Sequence, residues 1–135
     1  MIMSPDIAPR GHAVEDLNCN GLSRLLWENA SPNSNFGGGD IVIDTSRYNF
    51  FVIFAKNDRT LTAENAYLIG KSISGEQTMR ANYLDGINTA IKSYFRSLVI
   101  DDGKITFDEI GVYYFANGMT KNAQFMIPTK IYGIR

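Results

Sequence analysis

Few residues of this 135-residue chain are of the types that perform acid–base or nucleophilic chemistry. The chain has one histidine, His12, and one cysteine, Cys19, and both lie in a polar N-terminal stretch. A single cysteine excludes a disulfide within the chain, and one of each residue gives too few ligands for a Cys/His metal site. We therefore predict that the chain has no catalytic residue, no bound metal and no cofactor.

Two pairs of neighbouring acids, Asp101–Asp102 and Asp108–Glu109, are the remaining candidates for catalysis. Glycoside hydrolysis needs two carboxyl groups about 5–9 Å apart across a cleft. Neighbouring residues of a strand point to opposite faces, so neither pair suits this chemistry.

The segment Asp101–Glu109 also resembles the second half of a calcium-binding loop. The positions of the first two ligands fall on Leu98 and Ile100, which offer no carboxylate. The Asp-Gly step at Gly103 is instead typical of the tight turn of a β-hairpin, because it favours positive φ. We predict such a hairpin here, and a flexible connection at residues 37–39, which are all glycine.

Composition places the chain among single-domain globular proteins. Lys and Arg number 13 against 14 Asp and Glu, for a net charge of −1. This balance lacks the basic excess with which proteins hold nucleic acid or an anionic membrane. No apolar run approaches the ~18 residues that span a bilayer, and residues 1–20 do not resemble a signal peptide. We expect no nucleic-acid partner and no membrane insertion.

From Leu22 onward, short aromatic and β-branched runs alternate with Gly, Asn, Asp and Pro, which is typical of strands and turns. The pattern predicts an all-β, antiparallel β-sandwich over residues 22–135, jelly-roll-like, preceded by an N-terminal arm or linker at residues 1–21. The predicted strands lie within 22–28, 40–44, 48–56, 65–73, 78–84, 90–100, 104–110, 111–117 and 123–134.

Two strands carry further signals. The run 48–56 is apolar on both faces, which is typical of a strand buried on two sides, so a loop or a neighbouring subunit is expected to cover its second face. On the subunit alternative, we assign Phe51 and Ile53 to an oligomer interface. Pro128 cannot donate to a ladder, so its strand should lie at an edge or contain a bulge.

Tyrosines at strand ends are the candidates for binding, because a tyrosine presents a flat apolar ring and a polar tip. The receptor-binding candidates are Tyr67, Tyr83, Tyr113 and Tyr114; Tyr94 also lies at a strand end. The alternative is that such tyrosines only cap the sandwich.

Three parts of the chain together resemble the C-terminal β-sandwich domain of phage and prophage tail-fibre, baseplate or receptor-binding proteins. The resemblance spans about residues 22–135, in order. The first part is Leu25–Phe36, leading into Ile41–Tyr48, the second is Tyr94–Val99 with Ile105–Phe107, and the third is Ile127–Ile134. The most specific segments are Leu25–Pro32 (LLWENASP) and Ile127–Arg135 (IPTKIYGIR).

The resemblance implies a virion component of the tail or another external appendage, made in the bacterial host cytoplasm. It implies attachment to a host surface glycan or protein without catalysis, and assembly as a homotrimer. The alternatives are a purely structural virion protein that docks onto other virion proteins through residues 1–21, a stand-alone carbohydrate-binding module, and a small glycan depolymerase.

Overall fold

The computed structural model describes residues 22–71, 75–84, 91–116 and 118–135. Within these residues the chain forms ten strands and one 3-10 helix at Thr45–Arg47. The predicted arm, residues 1–21, lies outside the described residues, and with it His12 and Cys19. In chain order the strands are β1 Ser23–Glu28, β2 Gly39–Val42, β3 Phe50–Asp58, β4 Asn65–Gly70, β5 Glu76–Leu84, β6 Ile91–Asp101, β7 Lys104–Phe107, β8 Gly111–Phe115, β9 Gly118–Asn122 and β10 Phe125–Ile134.

The strands form two antiparallel sheets that pack against each other, which confirms the all-β sandwich. The four-stranded sheet has the order β1-β10-β3-β4. The six-stranded sheet has the order β2-β7-β6-β8-β9, with β5 paired to β6. The first and last strands are neighbours, and just beyond them the Arg135 amide donates to the Leu22 carbonyl at 3.0 Å.

Strand β6 is the centre of the six-stranded sheet. Its residue Leu98 pairs with Gln77 of β5 on one edge and with Phe107 of β7 on the other. Nearer the start of β6, Tyr94 pairs with Tyr113 of β8. Strands β7 and β8 therefore follow one another along the edge of β6 opposite to β5.

The core lies between the sheets and consists of side chains that alternate inward along each strand. Phe51 and Ile53 of β3 and Ile131 of β10 are buried from one sheet, in one cluster with Leu98 and Phe107 of the other. Each large apolar side chain buried in this way contributes roughly 1.5–3 kcal/mol to stability. This cluster joins the two sheets into one unit.

Strand β3 is apolar on both faces, but the structure corrects the assignment of Phe51 and Ile53 to an oligomer interface. Both side chains are 0% exposed in the core between the sheets, because the inward face of β3 is the odd-numbered one. The even-numbered residues point away from the core, and Phe50 remains 45% exposed there. The side of β3 that a partner can reach therefore carries Phe50, Val52 and Phe54.

Pro128 lies in β10, which is flanked by β1 and β3 and is not an edge strand. The strand contains a bulge instead, since the register between β10 and β3 shifts between Pro128 and Lys130. Thr129 lies in this bulge. Its carbonyl accepts from the backbone N–H of Asn29 at 2.8 Å, and its Oγ1 donates to the Phe54 carbonyl at 3.1 Å. The bulge thus satisfies the backbone around a residue that lacks a donor.

The predicted hairpin is confirmed, because Asp101 pairs with Lys104 and Gly103 has a φ of 79°. The connection at residues 37–39 is more constrained than predicted. Gly38 has a φ of 75°, and a Cβ there would lie 2.4 Å from the Asp108 carbonyl oxygen. Strand β9 was not predicted, because its sequence, GMTKN, has no alternation of apolar residues.

Candidate functional site

Four aromatic side chains form a continuous row at one end of the six-stranded sheet. We call this set the aromatic row; its members are Tyr83, Tyr94, Tyr113 and Phe115. The rings of Tyr94 and Tyr113 stack with centroids 4.9 Å apart, and the rings of Tyr113 and Phe115 are parallel at 6.5 Å. Tyr83 and Tyr94 meet edge to face at 6.3 Å.

Strand register accounts for the row. Tyr94 of β6 pairs directly with Tyr113 of β8, while Tyr83 of β5 and Phe115 of β8 both pair with Lys92 of β6. Residues two apart on a strand share a face, so the four rings occupy two adjacent cross-strand rows of one face. Aromatic pairs of this kind contribute about 0.5–1.5 kcal/mol beyond their buried area.

The aromatic row packs against the start of β10 and stays partly exposed. Phe125, at the start of β10, is 6% exposed, and its ring lies 6.2 Å from Tyr94 and 5.6 Å from Tyr113. Tyr83 is 43% exposed, and the other members of the row are half-buried. The rings are therefore fixed in position while part of their surface faces solvent.

Two amide side chains from the four-stranded sheet border the row. Asn57 of β3 is 8% exposed and donates from Nδ2 to Tyr83 Oη at 2.6 Å. Asn65 of β4 donates from Nδ2 to the same hydroxyl at 3.3 Å and to Asn57 Oδ1 at 3.4 Å. Amides both donate and accept hydrogen bonds, so the border of the row offers both kinds of polar contact.

The Tyr67 hydroxyl adds a buried polar atom near Asn65. Among the described residues this oxygen has no hydrogen-bond partner. Burial raises the pKa of Tyr67, because it disfavours the phenolate more than the Asn65 amide favours it. At neutral pH the hydroxyl is therefore an uncharged group with an unused donor and acceptor.

Charges of both signs lie beside the row. Lys92 Nζ lies 5.4 Å from the ring centroid of Phe115. Asp58, next to Asn57 on β3, accepts from Gln124 Nε2 at 3.1 Å. Burial raises the pKa of Tyr94, and the Asp58 carboxylate acts in the same direction. A row with mixed charges lacks the positive groove that follows the phosphates of single-stranded nucleic acid.

A buried arginine, which our sequence analysis did not identify, fixes the strand that carries Tyr94. Arg96 of β6 is 1% exposed. It donates to five backbone carbonyls at 2.7–3.3 Å, those of Phe36, Asp108, Ala123, Phe125 and Met126. Burial lowers the pKa of Arg96 to about 10, so the guanidinium remains charged at neutral pH. These five bonds, which we call the carbonyl cage, tie β6 to the start of β10 through Ala123, Phe125 and Met126, and to the two connections that contain Phe36 and Asp108.

No family model matches this chain, and neither does any curated protein or solved structure. Within residues 22–71, 75–84, 91–116 and 118–135, no helix is long and apolar enough to cross a membrane. The same residues contain no group of three or more His, Cys, Asp or Glu side chains placed to hold a metal ion. The two acid pairs are exposed, one beside the β6–β7 turn and one between β7 and β8.

The structure brings together part of the predicted set of tyrosines. Tyr83 and Tyr113 belong to the aromatic row, and Tyr67 lies beside it. Tyr114 follows Tyr113 on β8 and therefore points to the opposite face of the sheet. Tyr94, the centre of the row, is not among the four predicted residues, although the alternation along β6 places it on the same face as Leu98.

The amides that border the row, Asn57 and Asn65, were also missed. Single asparagines are common in turns and carry no spacing signal in the sequence. Their role becomes visible only when β3, β4 and β5 are brought together.

Proposed function

We propose that this chain is a component of a phage virion that attaches to a glycan on the host cell surface without catalysing a reaction. The observation that carries the proposal is the aromatic row with its bordering amides. A sugar ring has apolar faces made of C–H groups and a rim of hydroxyls. Flat aromatic rings beside amide donors and acceptors are complementary to both features.

Two further observations support the proposal. The resemblance to tail-fibre, baseplate and receptor-binding domains supports a place in the virion. The exposure of both acid pairs supports binding without chemistry, since Asp101–Asp102 and Asp108–Glu109 are pairs of chain neighbours that face solvent. A glycosidase needs two carboxyl groups facing one cleft.

The geometry of the row predicts weak binding of a single sugar. Its rings are only partly exposed, so a ligand would lose only part of its contact with water. A virion carries many copies of its surface components, and several weak sites on one particle give strong attachment. The binding experiment therefore has to present several copies of the protein at once.

The test uses biotinylated protein on streptavidin, applied to an array of bacterial surface polysaccharides. We expect retention of the wild type and a loss of about ten-fold or more for Tyr113→Ala. Tyr114→Ala is the matched control, because it removes the same side chain one residue away on the opposite face of the sheet. Circular dichroism and thermal melting establish that both variants are folded.

Two outcomes would contradict the proposal. Equal losses in Tyr113→Ala and Tyr114→Ala would show that the aromatic row is not the contact. If the wild type bound none of the polysaccharides and labelled no bacterial cells, attachment would be excluded in favour of a purely structural virion protein.

A further inference from the structure

The outer face of the four-stranded sheet carries an apolar row that crosses all four strands in register. Leu25 of β1 pairs with Tyr132 of β10, Tyr132 pairs with Val52 of β3, and Val52 pairs with Leu68 of β4. In the adjacent row Ile134 pairs with Phe50. We call this set the outer patch; its residues are Leu25, Phe50, Val52, Leu68, Tyr132 and Ile134.

Three of the six residues of the outer patch are exposed in the single chain, and Val52, Tyr132 and Ile134 are half-buried. Leu68 is 68% exposed, Phe50 45% and Leu25 40%. The alternation along β3 explains its position, because Val52 lies between the buried Phe51 and Ile53 and points the other way. A strand that is apolar on both faces is typical of a strand that is covered on both sides.

We propose that the outer patch is the surface through which two copies of this chain associate face to face, in place of the homotrimer that the resemblance implies. The size of the patch suits a pairwise and reversible contact. Four strands about 4.8 Å apart and six residues of about 3.3 Å rise give a face of roughly 19 Å by 20 Å. Two such faces bury about 800 Å² in projection, within the range of weak interfaces below ~1,200 Å².

The arrangement of residues is self-complementary, which favours a second copy as the occupant. A two-fold axis parallel to the strands, between β10 and β3, places β10 over β3 of the other copy. Tyr132 then faces the partner's Val52, a large side chain against a small one. Leu25 faces the partner's Leu68, and Phe50 faces the partner's Ile134. Isologous contacts of this kind need only one patch on each chain.

Charges at the border of the patch are compatible with the same axis. Glu28 and Lys130 pair across β1 and β10, and Lys130 pairs with Phe54, which pairs with Ala66. The two-fold axis places Lys130 over the partner's Phe54 and Glu28 over the partner's Ala66. No two like charges of this row meet, and the ammonium group faces an aromatic ring.

The outer patch and the aromatic row are on different sheets, so this inference does not rest on the proposed attachment function. Loss of glycan binding would leave the dimer intact, and loss of the dimer would leave each aromatic row intact.

The experiment is sedimentation velocity of the full chain from micromolar to millimolar concentration. We expect a dimer whose fraction rises with concentration. Leu68→Glu should raise the dissociation constant about ten-fold or more, because association would bury a charge in an apolar contact. Val42→Glu is the matched control, since Val42 is 83% exposed but lies on β2 of the other sheet. Leu25→Glu is a second variant of the patch, should Leu68→Glu fail to fold.

Four outcomes would overturn the proposal. They are a wild type that stays monomeric at millimolar concentration, equal effects of the patch and control variants, a trimer, and a dimer that forms only after removal of residues 1–21. The last result would assign the outer patch to that segment.

Discussion

Gly111 lies directly against the carbonyl group of Phe125, so that a Cβ at residue 111 would stand 2.0 Å from the oxygen. The same oxygen accepts from Arg96 Nη2 at 2.8 Å. Gly38 repeats the relationship, because its Cβ would lie 2.4 Å from the Asp108 oxygen, which accepts from Arg96 Nη1 at 2.7 Å. Gly38 and Gly111 therefore leave space for two of the five carbonyl groups that accept from Arg96.

Gly111→Ala should destabilise the fold by about 3 kcal/mol, because the new methyl group has to displace a backbone carbonyl that Arg96 holds. Gly118→Ala is the matched control in the same hairpin, since its nearest atom would be the Phe115 oxygen at 3.6 Å, an ordinary contact. Urea denaturation measures both variants. Equal destabilisation by the two alanines would contradict the close packing at Gly111.

Arg96→Met should cost about 3–5 kcal/mol, because the methionine fills similar space but leaves five carbonyls, two of them in fully buried hydrogen bonds, without their charged donor. Arg80→Met is the control on the neighbouring strand. Arg80 is exposed, with its guanidinium 4.1 Å from the ring centroid of Phe95, a contact whose loss costs about 0.5–1 kcal/mol. A similar midpoint of denaturation for both variants would show that the carbonyl cage contributes little.

Tyr83→Phe should destabilise the protein by about 1–2 kcal/mol, because it leaves the buried Asn57 Nδ2 without its acceptor at 2.6 Å. The control is a double-mutant cycle with Asn57→Ala, in which the cost of Tyr83→Phe should fall. Additive free energies of unfolding across the cycle would mean that this hydrogen bond makes no net contribution.

Stability should fall in alkaline solution through the half-buried tyrosines Tyr67 and Tyr94. Burial raises the pKa of both Tyr67 and Tyr94, so above about pH 10 the unfolded chain releases protons that the folded chain retains. Their contribution to the free energy of unfolding is complete below the tyrosine pKa of the unfolded chain. It is lost as the pH rises through the raised pKa of the folded chain. Denaturation midpoints measured from neutral pH to above pH 10 should therefore decline less steeply in Tyr94→Phe. Identical pH dependence in both proteins would contradict the raised pKa of Tyr94.

The fold was predictable where side chains alternate and turns carry their own signal. The period of two in β6 and β10 and the Asp102-Gly103 turn identified strands and a hairpin that the structure confirms. Strand β9 lacks this alternation. Its backbone pairing with β8 holds it in the sheet, and that pairing leaves no pattern in the sequence. Pro128 predicted either an edge strand or a bulge. The sequence alone could not decide between them, because the pairing of β10 with both β1 and β3, which excludes the edge position, is seen only in the structure.

The candidate site was predictable only in part, because register across strands is not a local property of the sequence. Tyr83 and Tyr113 come from strands β5 and β8, which pair with opposite edges of β6 and meet only through that strand. Arg96 is a charged residue on the apolar side of its strand, and that mismatch is the one signal that pointed to a buried role. Its five acceptors are backbone atoms, which no side-chain pattern can indicate.

The pairing of β1 with β10 also determines how the domain carries mechanical load. Leu22 and Arg135 lie side by side at the end of β10, whereas Phe125 and the aromatic row lie at the other end. Ten residues of strand separate the two ends by about 30 Å. A pull between a bound ligand and a carrier at either terminus would therefore run lengthwise along β10. The ladders to β1 and β3 would resist it together in shear, so detachment of the ligand is expected before rupture of the domain.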